Sequence, residues 1–293
     1  MEMLNLKGCG TAMITPFKGA EVDYEAYAAL VDRQVVSGVN FIVALATTSE
    51  TPTLSLEEKI KLLQITKEHA AGRPVVAGCG TNSLTATLEN MRLLEPYGPD
   101  AWLVVVPYYN KPTQEGQYQY FKAVAAATSK PVVMYNVPGR TGSSMTAETA
   151  VRIARECPNV IATKEASGNF ALASEIIRTA PEGFQVLCGD DDMTIALMAA
   201  GAAGVVSVAS NVAPAEVSQL AEAMLAGDLK KAREFHHRLF PLFRNCFVES
   251  SPIPAKAALA QMGLISNELR LPLVPACVKT EEIMAQTIKD LWK

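Results

Sequence analysis

The sequence is poor in residues that hold metals or build a histidine-centred catalytic site. Its three histidines, His69, His236 and His237, all fall in stretches whose patterning predicts helix rather than strand ends. A metal-dependent aldolase or a nucleophile–histidine–acid triad therefore lacks an obvious set of ligands or a base. The six cysteines (Cys9, Cys79, Cys157, Cys188, Cys246 and Cys277) include no CxxC pair, and several sit inside apolar runs. They read as reduced thiols packed in a core, not as a disulfide framework. No stretch approaches the roughly 18 consecutive apolar residues of a membrane-spanning helix. Met1 to Lys7 carry charge and lack the apolar run and small-residue cleavage site of a secretory signal. The expectation is a soluble, cytoplasmic protein. The net charge is −4, the isoelectric point is near 5.6, and the 26 Lys and Arg residues are scattered. Nucleic acid and anionic membrane are therefore not expected partners.

What is present is an alternation. Apolar, β-rich runs begin at Gly8 (GCGTAMI), Val39 (VNFIVAL), Pro74 (PVVAGCG), Ala101 (AWLVVV), Pro131 (PVVMYN), Asn159 (NVIATK), Phe184 (FQVLCG) and Ala203 (AGVVSV). They are continuously apolar, as parallel strands covered on both faces are. Helical patterns lie between them. Ser55 with Glu58 predicts a capping box, and Asp23 and Thr146 predict helix starts. About eight strand–helix units favour an α/β fold of the (β/α)8 TIM barrel type over an open doubly wound sheet, and no GxGxxG follows the first strand. After the helix that starts near Pro214 the pattern is helical only, with Asp228 to Val248, Ile253 to Met262 and Thr280 to Trp292. This predicts a catalytic barrel over 1–226 and a C-terminal helical extension over 227–293, divided near Ala226 and Gly227.

In such barrels the reacting groups sit at the C-terminal strand ends and in the loops that follow. Those positions here are Thr15, then Ala46 to Glu50, Gly80 to Asn82, Pro107 to Asn110, Tyr135 to Arg140, Lys164 and Glu165, Gly189 to Asp191, and Ser207. Lys164 stands out, because it directly follows Val160-Ile161-Ala162-Thr163. Burial disfavours a lysine's charge and frees a neutral amine to attack a ketone. The alternative is an ion pair with Glu165 at the rim. Tyr135 ends the neighbouring strand and is placed either to relay a proton or to bond backbone. Arg140, in PGRTG, either grips a carboxylate bidentately or lies on the surface. Backbone amides and hydroxyls at Thr47 and Thr48 suit a carboxylate, although threonine is common in strands. Tyr108 and Tyr109 are open between packing and proton transfer. Asp190, Asp191 and Asp192 offer Mg²⁺ ligands or, at a strand–helix junction, helix caps.

The strings GTAMITPF from Gly10, YNVPGRTG from Tyr135, KEASGN from Lys164 and GDDD from Gly189 resemble the 4-hydroxy-tetrahydrodipicolinate (dihydrodipicolinate) synthase family of the N-acetylneuraminate lyase superfamily. The resemblance runs down to LRLPLVP from Leu269. It implies a homotetramer built as a dimer of dimers and the condensation of pyruvate with L-aspartate 4-semialdehyde in the diaminopimelate route to lysine. No cofactor beyond a covalent imine with Lys164 is implied. By position, Lys164 forms that imine, Tyr135 moves protons, and the Thr47 hydroxyl links Tyr135 to Tyr109, whose family counterpart enters the neighbouring subunit's site. Arg140 binds the aldehyde's carboxylate, the Thr47 and Thr48 amides bind the pyruvate carboxylate, and Gly189 and Val206 line the pocket through backbone.

The chain departs from the family's GTTGE at Ala46 and Ser49, which replace both glycines. If either position needs positive φ or close backbone approach, the cost is about 1 kcal/mol or more. An active enzyme with a slightly altered pyruvate pocket is expected. The resemblance also places the inhibitory lysine site of some members at positions occupied here by Leu56, Lys59 and Ala86, with only Asn82 and Tyr108 matching. Weak or absent inhibition by L-lysine is expected. Two other readings compete: a sugar-acid-cleaving lyase of the same superfamily, disfavoured by Arg140, and a non-catalytic keto-acid binder, disfavoured by the retained Lys164, Tyr135, Thr47, Tyr109 and Arg140.

Overall fold

The computed structural model describes residues 4–19 and 21–293. Met1 to Met3, part of the stretch read for a leader, lie outside the described residues. Each of the eight apolar runs supplies one strand: β1 Gly8–Ala12, β2 Phe41–Ala44, β3 Val75–Gly78, β4 Ala101–Val105, β5 Val132–Asn136, β6 Val160–Glu165, β7 Gln185–Cys188 and β8 Gly204–Ser207. They close into a parallel barrel in the order β1-β8-β7-β6-β5-β4-β3-β2. This is the predicted (β/α)8 architecture. A small hairpin pairing Phe17–Lys18 with Glu21–Val22 precedes the first helix. It was not visible in the pattern, because each of its strands is only two residues long.

The helices that wrap the barrel start where local chemistry directs. In α1 (Tyr24–Val36) Asp23 accepts the Ala26 amide, and α2 (Leu56–His69) opens with the reciprocal Ser55–Glu58 box. Both devices satisfy N–H groups left free in a first helical turn. The ring continues with α3 (Leu84–Leu94), α4 (Gln114–Ala126), α5 (Ala147–Glu156, capped by Thr146), α6 (Phe170–Thr179), α7 (Thr194–Ala199) and α8 (Pro214–Leu225). The C-terminal helices are α9 (Leu229–Asn245), α10 (Ile253–Gln261) and α11 (Val278–Leu291). Leu239, Phe243, Leu259 and Met284 from these helices join the hydrophobic layer that packs between the barrel and its helices. No helix among the described residues is long and apolar enough to cross a membrane.

Strand alternation separates two cores. On β4, Trp102 and Val104 face the helices while Ala101 and Leu103 face the barrel interior; on β5, Met134 faces out while Val133 and Tyr135 face in. Strand β6 breaks the alternation. Its register runs Val132↔Val160 and then Val133↔Ala162, so Ile161 is an extra residue on β6. A bulge of this kind shifts every later side chain to the other face. Lys164 therefore lies level with Tyr135, inside the mouth, and Glu165 lies level with Asn136, outside it.

Candidate active site

Lys164 is 4% exposed, and its Nζ lies 4.2 Å from the centre of the Tyr135 ring. Among the described residues it makes no hydrogen bond and no ion pair. The rim pairing with Glu165 does not form: Glu165 is buried on the other face, where it accepts from Asn136 Nδ2 at 2.9 Å and from the Ser167 amide. Burial raises the Glu165 carboxyl above its ordinary range, against those hydrogen bonds. The Tyr135 hydroxyl is likewise without a hydrogen bond among the described residues, so the backbone-satisfied alternative does not hold. Behind the lysine stands Gly189, where a Cβ would lie 2.5 Å from Ala166 Cβ and 3.1 Å from Lys164 Cε. Only glycine leaves room there. Val206 lies on β8 within the same interior layer as Tyr135.

A cavity of about 380 Å³ opens beside Tyr135, and Lys164 is not one of the residues that line it. Thr47, Tyr135 and Arg140 are in its wall, together with Lys59, Thr81 and Tyr108. Thr47 starts the short turn Thr47–Ser49, and Thr48 is buried beside it. Neither residue's amide nor hydroxyl is hydrogen-bonded among the described residues, which leaves two adjacent N–H donors at the start of a turn. The cost of a positive φ is not incurred at Ala46 or Ser49. Ala46 is extended (φ −95°), its methyl is buried in the barrel interior, and the left-handed residues are instead Leu45 (φ 56°) and Glu50 (φ 53°). Ser49 uses its side chain: Oγ donates to Met13 O at 2.8 Å, and Thr15 Oγ1 donates to Ser49 O at 2.9 Å.

Arg140 lies in a helical turn, Pro138–Thr141, ended by left-handed Gly142. It is exposed at the cavity rim and donates to Ser251 O at 3.3 Å. Tyr109 is not brought to the other site residues within this chain: it is left-handed (φ 71°) and 88% exposed, outside the cavity wall. Asp191 is fully engaged, accepting from Ser207 Oγ and from the Val208 and Ala209 amides, so it caps the turn after β8 rather than its own helix. Asp190 accepts from the Gly168 amide. Burial raises both carboxyls. His69 pairs with Asp32 on the outside, and no cluster of three or more His, Cys, Asp or Glu suited to a metal occurs among the described residues.

Lys256 went unnoticed in the sequence. Its ammonium is 2.6 Å from Glu50 Oε1, with both side chains almost wholly buried. It also lies 4.3 Å from the centre of the Phe17 ring, and burial pushes its pKa down to about 8 despite the carboxylate partner. Deleting one member of such a pair costs about 3–5 kcal/mol, whereas replacing both with apolar residues is often neutral. The only signal available was a lone charge within the otherwise apolar helix IPAKAALAQ.

A buried amine against a phenol ring at a (β/α)8 mouth, with unbonded amides at Thr47 and Thr48 and the Arg140 guanidinium at the rim of the adjoining cavity, has the chemistry to suit carbonyl compounds that carry carboxylates. The Dihydrodipicolinate synthetase family profile matches residues 5–291. The 4-hydroxy-tetrahydrodipicolinate synthase of Parabacteroides distasonis is 50% identical over 293 residues, 99% of each chain. The crystal structure of dihydrodipicolinate synthase from Thermotoga maritima, 46% identical, superposes with a TM-score of 0.96 over 98% of both chains. That of Cyanidioschyzon merolae with lysine bound is 39% identical, covers 98% of each chain and superposes with a TM-score of 0.94. The chain belongs to the dihydrodipicolinate synthetase family.

Proposed function

We propose that the barrel mouth at Lys164 and Tyr135 is where this chain condenses pyruvate with L-aspartate 4-semialdehyde to give 4-hydroxy-tetrahydrodipicolinate, with Lys164 as the imine-forming amine. The activity is that of the full-length relatives, a lyase of the lysine and diaminopimelate pathway working without an external cofactor. The observation that carries the residue assignment is the register of Lys164 with Tyr135, amine over phenol, neither hydrogen-bonded elsewhere among the described residues. Unprotonated Lys164 attacks the keto carbon of pyruvate, and Tyr135 passes protons as water leaves the carbinolamine. The imine draws electrons from the methyl group, which loses a proton to give an enamine. That carbon attacks the aldehyde. The amine of the semialdehyde then displaces Lys164 from the imine carbon, closing the ring and restoring the free lysine.

The Thr47 and Thr48 amides receive the pyruvate carboxylate, Gly189 and Val206 supply backbone walls, and the Thr47 hydroxyl links Tyr135 to Tyr109. Tyr109 serves the site of a second copy, in a homotetramer built as a dimer of dimers; its exposed side chain on a left-handed backbone supports this reading. The enzyme works in the cytoplasm. The barrel gives way to the C-terminal region at Ala226 and Gly227, where α8 ends and Gly227 turns left-handed (φ 76°).

Arg140 holds the carboxylate of the aldehyde substrate. Arg140→Ala is expected to raise the KM for L-aspartate 4-semialdehyde by about tenfold or more, the loss of a charge-assisted hydrogen bond, and to leave the KM for pyruvate nearly unchanged. Steady-state rates with each substrate varied in turn check this, and equal damage to both would contradict the role.

Feedback by L-lysine is expected to be weak or absent. Lys59 is partly buried in the cavity wall that Tyr108 also lines, and burial pushes its ammonium's pKa down against the pull of the Glu58 carboxylate. An incoming ammonium meets this cation. Ala86, on α3, offers no counter-charge, a deficit of about 1.5–3 kcal/mol for one charged hydrogen bond. Initial rates at saturating pyruvate with rising L-lysine check it; half-inhibition below about 1 mM, a binding free energy near −4 kcal/mol, would contradict it.

A further inference from the structure

We propose that Lys256 is a positioning residue for pyruvate: through its buried ion pair with Glu50 it sets the orientation of the Thr47–Thr48 peptide. The inference rests on the reading that the Thr47 and Thr48 amides receive the pyruvate carboxylate, and it extends the site to a helix outside the barrel.

The mechanical link is short. Glu50 N–H donates to Thr47 O at 3.0 Å. Thr47 C=O and Thr48 N–H belong to one planar peptide unit, so whatever fixes the carbonyl fixes the direction of the amide. Glu50 adopts φ 53°, a conformation a residue with a Cβ does not favour, and needs to be held there. Its carboxylate is held from two sides, by Lys256 Nζ at 2.6 Å and by the Arg270 amide at 3.2 Å. Arg270 in turn donates to Thr53 O and forks onto Glu58, the residue that completes the cap of α2. Its guanidinium and the Lys256 ammonium both lie against the Phe17 ring, at 4.5 and 4.3 Å.

The placement of Lys256 in the chain strengthens the case. The stretch that opens α10 bonds to two loops of the mouth: Ser251 O accepts from Arg140 after β5, and Lys256 pairs with Glu50 after β2. These are the loops assigned to the two substrate carboxylates. A fully buried ion pair is a poor way to gain stability, because apolar residues of similar volume do as well or better. What it provides is direction, since a carboxylate gripped by an ammonium and an amide has one orientation. The hydrogen bonds of Ser49 to Met13 and Thr15, just after β1, and those of the Thr53 amide and hydroxyl to Glu50 O anchor the turn's backbone, and the direction of the Glu50 carboxylate is left to Lys256 and the Arg270 amide.

The test compares wild type, Lys256→Met and the double variant Glu50→Met/Lys256→Met. Three quantities are read: thermal midpoint, the KM for each substrate, and the pyruvate concentration that half-saturates borohydride labelling of Lys164. Positioning predicts that Lys256→Met lowers the thermal midpoint and raises the pyruvate KM and the half-saturating concentration about tenfold, the scale of one misplaced hydrogen bond. The KM for L-aspartate 4-semialdehyde stays within about twofold of wild type. The double variant, with an apolar pair in place of the ions, regains the thermal midpoint but not pyruvate affinity. Should the single variant fail to fold, the double variant decides alone by the same criterion. Recovery of both stability and pyruvate affinity in the double variant would overturn the proposal and leave Lys256 a structural residue. So would a proportional rise of both KM values. Wild type labelled at Lys164 with unaltered half-saturation in the variants would overturn this inference while sparing the imine. An unlabelled wild type would overturn both.

Discussion

Lys164→Ala is expected to fold normally and to lose turnover by on the order of 10⁴-fold or more, since no other group can form the covalent intermediate. The buried Lys164 amine makes no hydrogen bond or ion pair among the described residues, and Asp190, the carboxylate that feels its charge, keeps its hydrogen bond from the Gly168 amide when Lys164 is removed. The loss is confined to the packing of an aliphatic stem, at most a few kcal/mol. The neighbouring lysine in the cavity wall, Lys59, is no substitute, because it stands on α2 rather than beside Tyr135. Circular dichroism, the thermal midpoint and initial rates together check the expectation. A folded variant with turnover within tenfold of wild type would remove Lys164 from the mechanism.

The second large effect is expected at Tyr135. Tyr135→Phe keeps the ring against Lys164 and removes only the hydroxyl, which has no hydrogen bond to lose among the described residues. The packing of the barrel interior is conserved, so stability should change by less than about 1.5 kcal/mol. Turnover should fall by about 10²- to 10⁴-fold, the usual contribution of a placed proton donor and acceptor. Imine formation needs proton transfer to expel water, so the rate of borohydride-trapped adduct formation with pyruvate alone should fall as well. A variant with normal adduct formation would confine Tyr135 to a later step.

The barrel was legible because parallel strands buried on both faces announce themselves as unbroken apolar runs, and all eight runs became strands. Caps at Asp23, Ser55 and Thr146 were legible for the same local reason, since a side chain that satisfies the first helical turn is adjacent to it in sequence. The inward direction of Lys164 was not. Strict alternation from Val160, which faces out, would have sent Lys164 outward and Thr163 inward; the extra residue Ile161 reverses this, and no local residue pattern marks the bulge. The Lys256–Glu50 pair spans 206 residues of sequence and depends on tertiary packing alone. At Ala46 and Ser49 the sequence suggested left-handed strain where the backbone has none, because the left-handed positions are the flanking Leu45 and Glu50. Tyr109 was expected to serve a neighbouring subunit's site, and within a single chain it is exposed and outside the cavity wall.

The central claim is that pyruvate becomes covalently attached to Lys164 before the aldehyde enters. Incubation with pyruvate and borohydride, followed by mass spectrometry of the digested protein, tests it most directly. The prediction is one reduced three-carbon adduct per chain on the peptide containing Lys164, none without pyruvate, and none in Lys164→Ala. Label on any other lysine, or no label at saturating pyruvate, would contradict it.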